Sequence, residues 1–267
     1  MGSRRYLGAG GIGRQHEGRR PLTYCLGILL RSGLVMASDG RSNAGVDQIT
    51  KVAKLAVVST PGERVITIQS AGNLATTQAV VTELEESRGH GDPTQDLQLC
   101  KSMFEAAHIV GQQLRRVLDS DAKYVEPYGD PGASFLVGGQ IRGEAPRLFQ
   151  IYSAGNFVEA SGRAPFLQIG ETKYGKPILD RALTPDTSLD EAAKLALLSF
   201  DATLRSNLSV GLPIDLLRYR ADSFTADNLI TIEEHNLYWR ELRETYAGGL
   251  AALVASLDPP PPAMAQG

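Results

Sequence analysis

The stretch Thr23-Tyr24-Cys25-Leu26-Gly27-Ile28-Leu29-Leu30-Arg31-Ser32-Gly33-Leu34-Val35-Met36-Ala37-Ser38-Asp39-Gly40-Arg41, continued through Ser42–Ile49 to Thr50-Lys51-Val52-Ala53-Lys54, decides the fold. Two short apolar runs are separated by Arg31-Ser32-Gly33, with a two-residue turn expected at Ser32-Gly33, which is the composition of a β-hairpin. Ser42–Ile49 reads as a loop, and Leu55-Ala56-Val57-Val58 opens the next apolar run directly after Lys54. A hydroxyl, a carboxylate and an amine, those of Thr23, Asp39 and Lys54, therefore stand at the starts and ends of strands, where a sheet can bring them together.

That set suits an N-terminal nucleophile. A threonine hydroxyl attacks poorly unless a base takes its proton. If Thr23 began the chain, its own α-amine would lie beside the hydroxyl with a pKa of about 8, against about 10.4 for a lysine, and would serve as that base near neutral pH. A lysine close by favours the alkoxide, and an aspartate keeps that lysine charged and aimed. In the 267-residue sequence Thr23 is preceded by 22 residues.

Three segments carry a resemblance. Thr23-Tyr24-Cys25-Leu26-Gly27, Ala37-Ser38-Asp39-Gly40-Arg41-Ser42-Asn43-Ala44-Gly45-Val46-Asp47 and Ser70-Ala71-Gly72-Asn73-Leu74-Ala75-Thr76-Thr77-Gln78 resemble the Anbu family, bacterial relatives of proteasome β subunits among the N-terminal nucleophile hydrolases. The resemblance runs from Thr23 to about Leu257. It implies an α+β fold, a four-layer αββα sandwich of two antiparallel sheets flanked by helices. It also implies a threonine peptidase acting on peptide or protein substrate in a homo-oligomer, either a ring or an open spiral, with no cofactor; a catalytically weak or inactive assembly or scaffold protein of the same fold, and a small-molecule amidase, are the alternatives. By position Thr23 matches the nucleophile, Asp39 its acidic partner, Lys54 the active-site lysine and Gly72 the residue whose N–H serves the oxyanion. In proteasome subunits an Asp and, three residues on, a Ser order the N-terminal amine. Here Ser209 matches the Ser, and Ser206 stands where the Asp would be. Asn207 or a water is the available substitute.

Composition agrees with a single globular domain over 23–257. The net charge of −3 implies no general affinity for nucleic acid or an anionic membrane surface. No apolar run approaches the ~18 residues of a membrane span. Cys25 and Cys100 lie on apolar elements without metal-ligand spacing and read as buried reduced thiols, as expected in a bacterial cytoplasm. The four histidines form no metal pattern, and His108 is expected to be structural.

Residues 1–22 have a different character, with five arginines against Glu17, leaving −7 for the rest. Gly8–Gly13 satisfies G-x-G-x-x-G, but no strand precedes it and no apolar-periodic helix follows, so it is a poor nucleotide fingerprint. The segment reads as a disordered leader, a propeptide cleaved before Thr23, or an upstream extension of a protein that truly starts at Leu22, whose codon would be read as an initiator Met and the Met removed.

Beyond Lys54, strands are expected over Leu55–Ser59 and Arg64–Gln69, then a helix from Leu74 to about Ser87 capped by Asn73. A second helix is expected from Thr94 to about Leu118, with Leu97, Cys100, Phe104, His108 and Val110–Leu114 on its apolar face. Ala133–Val137, Arg147–Tyr152 and Phe166–Ile169 read as a second sheet. Ser70-Ala71-Gly72-Asn73 recurs as Ser153-Ala154-Gly155-Asn156, through either shared geometry or recurrent turn chemistry. Ser188-Leu189-Asp190-Glu191 is a capping box opening a helix to about Leu204, and Ile214–Tyr219 is a strand. The last helix, about Asn236–Leu257, is one-sided and expected to break at Gly248-Gly249; it suits an assembly contact. Pro259–Pro262 begins a disordered tail.

Overall fold

The computed structural model describes residues 23–43, 49–51 and 53–261. The leader, with its glycine-rich motif, the central part of the loop after Asn43, and the final residues lie outside the described set.

The Thr23–Arg41 stretch forms the hairpin it encodes, with strands β1 (Tyr24–Leu30) and β2 (Gly33–Asp39). Leu30 pairs with Gly33, so the turn residues are Arg31 and Ser32, one position earlier than expected. The following loop folds back as a short ladder, β3 (Arg41–Asn43) on β4 (Ile49–Lys51). Two longer strands, β5 (Leu55–Thr60) and β6 (Arg64–Gly72), lead into helix α1 (Leu74–Glu86). Asn73 caps α1, its side chain accepting from Thr76 N–H.

Helix α2 spans Met103–Val125, nine residues later than the expected start. The periodic apolar positions Leu97 and Cys100 are buried, but the chain around them turns on carboxylates. Asp92 accepts from Thr94 N–H, and Asp96 from Gly89 and Gln98 N–H. Ser102 then supplies the N-cap, accepting from Glu105 N–H at 3.1 Å. Within the helix Phe104 and His108 are exposed, and the buried face runs through Ala107, Val110, Leu114 and Val117. Among the described residues His108 bonds only its own-helix neighbour Gln112.

The chain continues through β7 (Ala133–Ile141), β8 (Arg147–Ile151), β9 (Phe157–Glu159), β10 (Phe166–Gly170), α3 (Lys176–Ala182), α4 (Leu189–Ser206), β11 (Ile214–Arg220), β12 (Leu229–Ile232) and α5 (Leu237–Ser256). The Ser188–Glu191 capping box is formed, and α5 runs through Gly248-Gly249 without a break. One sheet has the order β10-β1-β2-β11-β12 and the other β5-β6-β7-β8-β9, all neighbours antiparallel. β10 was expected beside β7 and β8. It joins β1 instead, carried across by the turn bridging Ser161 to Ala164. The repeated tetrapeptide has no shared geometry, since Gly72 ends a strand before a helix whereas Gly155 lies in the β8–β9 turn.

Strand alternation distributes side chains to three apolar layers. Tyr24, Leu26 and Ile28 of β1 meet Ala196, Leu197 and Phe200 of α4. Cys25, Met36 and Leu217 face Leu136 and Leu148 of the other sheet. Phe135 and Val137 of β7 meet Val110 and Leu114 of α2. The result is helices, sheet, sheet, helices: the four-layer αββα sandwich.

Candidate active site

β1 and β2 place the first two members of the expected set. Thr23 and Asp39 are 7% and 0% exposed, and Lys54, just before β5, is 7% exposed. Beyond the last ladder pair, Cys25 with Ser38, Tyr24 N–H donates to Asp39 Oδ1 at 3.0 Å. The same oxygen takes Lys54 Nζ at 2.7 Å, and Nζ also donates to the Arg41 carbonyl at 2.5 Å. Asp39 Oδ2 accepts from Gly211 N–H at 3.4 Å. Burial pushes the Asp39 carboxyl above its ordinary value, against the pull of Lys54 and two backbone donors. The carboxylate thereby ties the Thr23 end of β1, the lysine and the loop before β11 into one unit.

The second sheet is locked to this unit. Ser70 N–H donates to the Lys54 carbonyl at 3.3 Å, and the Cys25 thiol to the Ser70 carbonyl at 3.5 Å. Gly72 lies two residues on, at the end of β6, with φ +118°. A Cβ there would stand 2.5 Å from the Gly132 carbonyl oxygen and 2.8 Å from Ala133 Cα. Glycine is thus required sterically at this position, whatever its N–H does. The Cys25 thiol is buried and its pKa is pushed up by that burial.

The loop after α4 separates the two serines. Ser206 is the last residue of α4 and exposed, while Ser209 is half-buried and donates its N–H to Asn207 Oδ1 at 2.9 Å. Asn207 Nδ2 reaches Glu171 Oε2 at 3.1 Å, and Glu171 N–H donates to the Thr23 carbonyl at 2.8 Å. Glu171 is the residue that sequence reasoning missed. Its only local signal is a Gly-Glu pair closing a strand, and only the pairing of β10 with β1 brings it to Thr23. Among the described residues, no group of His, Cys, Asp and Glu could hold a metal ion, and no helix is long and apolar enough to cross a membrane.

The stacked antiparallel sheets and their helical layers, with Asp39 and Lys54 paired where the two sheets meet, define the proteasome-subunit class of N-terminal nucleophile fold. The sequence pattern of the family described as "Proteasome subunit" matches residues 102–216. Anbu (ancestral β-subunit) from Yersinia bercovieri is 46% identical, the similarity covering 90% of this chain and 99% of that one at a TM-score of 0.85. The helical assembly of the Anbu complex from Pseudomonas aeruginosa contains a chain 44% identical, covered to 100% by 91% of this one, at a TM-score of 0.86. Anbu from Hyphomicrobium sp. strain MC1 is 46% identical over 90% of this chain and 100% of its own, at a TM-score of 0.82. No protein of curated function matches the chain. The chain belongs to the Anbu family.

Proposed function

We propose that the chain is a threonine amide hydrolase that cleaves peptides from a self-assembled homo-oligomer, in the bacterial cytoplasm and with Thr23 as its first residue. The observation that carries this reading is the buried Lys54–Asp39 pair, 2.7 Å apart, bonded through Asp39 to the backbone of Tyr24 next to Thr23. A buried ion pair is a weak source of stability, so its presence one residue from Thr23, whose hydroxyl makes no hydrogen bond among the described residues, is better explained by chemistry. Thr23 Oγ1 attacks the substrate carbonyl carbon and its α-amine takes the hydroxyl proton. The positive field of Lys54 lowers the cost of the alkoxide, and Asp39 holds that lysine in place. The Gly72 N–H is the donor proposed for the oxyanion. Collapse expels the amine product, protonated by the α-ammonium, and leaves an ester on Thr23. Water, activated by the same α-amine, then hydrolyses the ester.

Two experiments test the reading. The intact mass of protein expressed from its own gene and upstream region should correspond to a chain beginning at Thr23; one retaining residues 1–22 has a blocked amine and points to a zymogen. Thr23→Ala in the Thr23-initiated chain should reduce turnover of a peptide library by about 10³-fold or more; unchanged turnover would remove peptide hydrolysis. Small-molecule amides in the same assay distinguish a small-molecule amidase.

One observation favours a second reading, an assembly or scaffold protein with weak or no catalysis. Ser206, at the position of the amine-ordering Asp, is exposed at the end of α4, and among the described residues its hydroxyl makes no hydrogen bond. On either reading the chain self-associates. In α5 only Trp239 is buried, and Leu250, Leu253 and Val254 are 49%, 57% and 60% exposed. A second copy of this chain is the proposed cover, because the Pseudomonas relative forms a helical assembly.

A further inference from the structure

We propose that Glu171, bracketed by Asn207, is the counter-charge that holds the α-ammonium of Thr23. This rests on the reading of Thr23 as the mature N-terminus. Three observations carry it.

The first is placement. Glu171 faces Thr23 across the β10–β1 ladder, one residue beyond the Tyr24–Gly170 pair, and its N–H is bonded to the Thr23 carbonyl at 2.8 Å. Residues facing each other this way have Cα atoms about 5.5 Å apart, within the reach of a glutamate side chain. Gly170 makes the approach, with φ +82° and an ideal Cβ position only 2.0 Å from the Thr23 carbonyl oxygen.

The second is charge. Glu171 is 4% exposed, and its hydrogen-bond donors, Asn207 Nδ2 at 3.1 Å and Lys173 N–H at 3.3 Å, are neutral. Among the described residues no Lys, Arg or His forms an ion pair with it. A carboxylate removed from water demands a cation. Lys54 is committed to Asp39, Arg41 donates to the Leu208 carbonyl, and Arg205 and Arg243 on the α4–α5 side both pair with Asp201. Lys173, two residues on, is exposed, and among the described residues its ammonium makes no ion pair with Glu171. A free amine on Thr23 is the cation that completes the set, and a Leu22–Thr23 peptide bond would leave Glu171 without a cation among the described residues.

The third is rigidity. Asn207 Oδ1 accepts from Ser209 N–H at 2.9 Å and its carbonyl accepts from Val210 N–H at 3.2 Å, so the amide that grips Glu171 is itself fixed. Glu171 is thus a positioning residue. It holds the amine in place for its work as the base, where proteasome subunits use an Asp.

The test compares the 267-residue chain with the Thr23-initiated chain, each as wild type and Glu171→Gln. The amine's pKa is read without turnover, from the pH dependence of its modification by an amine-reactive reagent, quantified by mass spectrometry on the N-terminal peptide. In the Thr23-initiated chain, Glu171→Gln should lower that pKa by about one unit or more. It should lower Tm there, and leave it unchanged or raise it in the longer chain. An equal amine pKa in wild type and variant, or a Tm shift of the same sign in both chains, overturns the proposal. If the variant does not fold, the wild-type value decides: a buried amine near Lys54 without a counter-charge falls below the ordinary value of about 8, so a value below 8 overturns the proposal and one at or above 8 supports it. Where peptide turnover is present, the rising limb of its pH profile should move to lower pH in Glu171→Gln, and Asn207→Ala should lower kcat about tenfold with KM unchanged. Absence of turnover in the wild type would remove the hydrolase reading and leave this inference standing.

Discussion

A lysine ammonium and an aspartate carboxylate that are both buried survive only as a pair. Lys54→Met leaves Asp39, fully buried, without its cation, and should cost about 3–5 kcal/mol; Asp39→Asn should cost a similar amount for the mirror reason. The double variant should recover most of that loss, because the coupling between residues in contact is not additive, and urea midpoints of the four proteins measure it. Tyr24 offers a pH test at the same scale. Burial pushes its hydroxyl up to about 12, against hydrogen bonds from Ser199 at 2.6 Å and Gln168 at 2.5 Å. The folded-state value lies above the unfolded value of 10.0, so the stabilisation is intact below pH 10 and is lost as pH rises from 10 toward 12. The loss approaches about 3 kcal/mol at the upper end, and Tyr24→Phe should flatten that alkaline limb in thermal melts. That Asp39 and Lys54 meet beside the Thr23 end of β1 was legible because chemistry-bearing residues interrupt apolar runs at strand ends. Glu171 was not, because its partner is defined by a strand pairing between distant segments, and nothing in its neighbours announces a buried charge.

Elements were legible where a local signal fixed them, and misplaced where a tertiary contact did. Asn73 and the Ser188–Glu191 box cap α1 and α4 as read, since capping is settled within four residues. The start of α2 was misread because Leu97 and Cys100 carry helical spacing yet are buried in turns, with Arg64 holding both of their carbonyls. β10 was assigned to the wrong sheet because an apolar five-residue strand does not specify its neighbour. The interior of α2 supplies a prediction in which packing opposes propensity. Glycine inside a helix ordinarily costs about 1 kcal/mol against alanine, so Gly111→Ala would be expected to stabilise. A Cβ on Gly111, however, would lie 2.3 Å from the carbonyl oxygen of Gly155 in the β8–β9 turn, and that turn is pinned by Arg115 Nε donating to the Ala154 carbonyl at 2.8 Å. Gly111→Ala should therefore destabilise by about 1–3 kcal/mol, the range for overpacking a core; a rise in Tm would show that α2 and the turn separate freely.

For the whole molecule, the three apolar layers account for both sheets and for α1 to α4, and α5 joins them only near its start, through Trp239 and the half-buried Leu242. Trp239 is 1% exposed within the layer formed with α4, and Arg243 joins Asp201 while lying over the Trp239 ring at 5.2 Å. Past that anchor the helix is exposed from Ala247 to Ser256, and its apolar residues at 250, 253, 254 and 257 follow helical spacing. Among the described residues of one chain nothing covers this stripe, an arrangement that marks association surfaces. A helix packed against an equivalent helix gives an isologous contact; joined to a second, heterologous contact it builds a ring if the rotation closes and a spiral if it does not. Leu253→Glu combined with Val254→Glu places two charges in that stripe without touching the three layers. Sedimentation velocity should then show a large particle replaced by monomers or by pieces limited to the remaining contact. Far-ultraviolet circular dichroism and Tm of the dissociated subunit should be unchanged within about 0.5 kcal/mol, as for surface substitutions. An undisturbed large particle would move the assembly surface away from α5. A loss of fold would mean that α5 is part of the core despite its exposure.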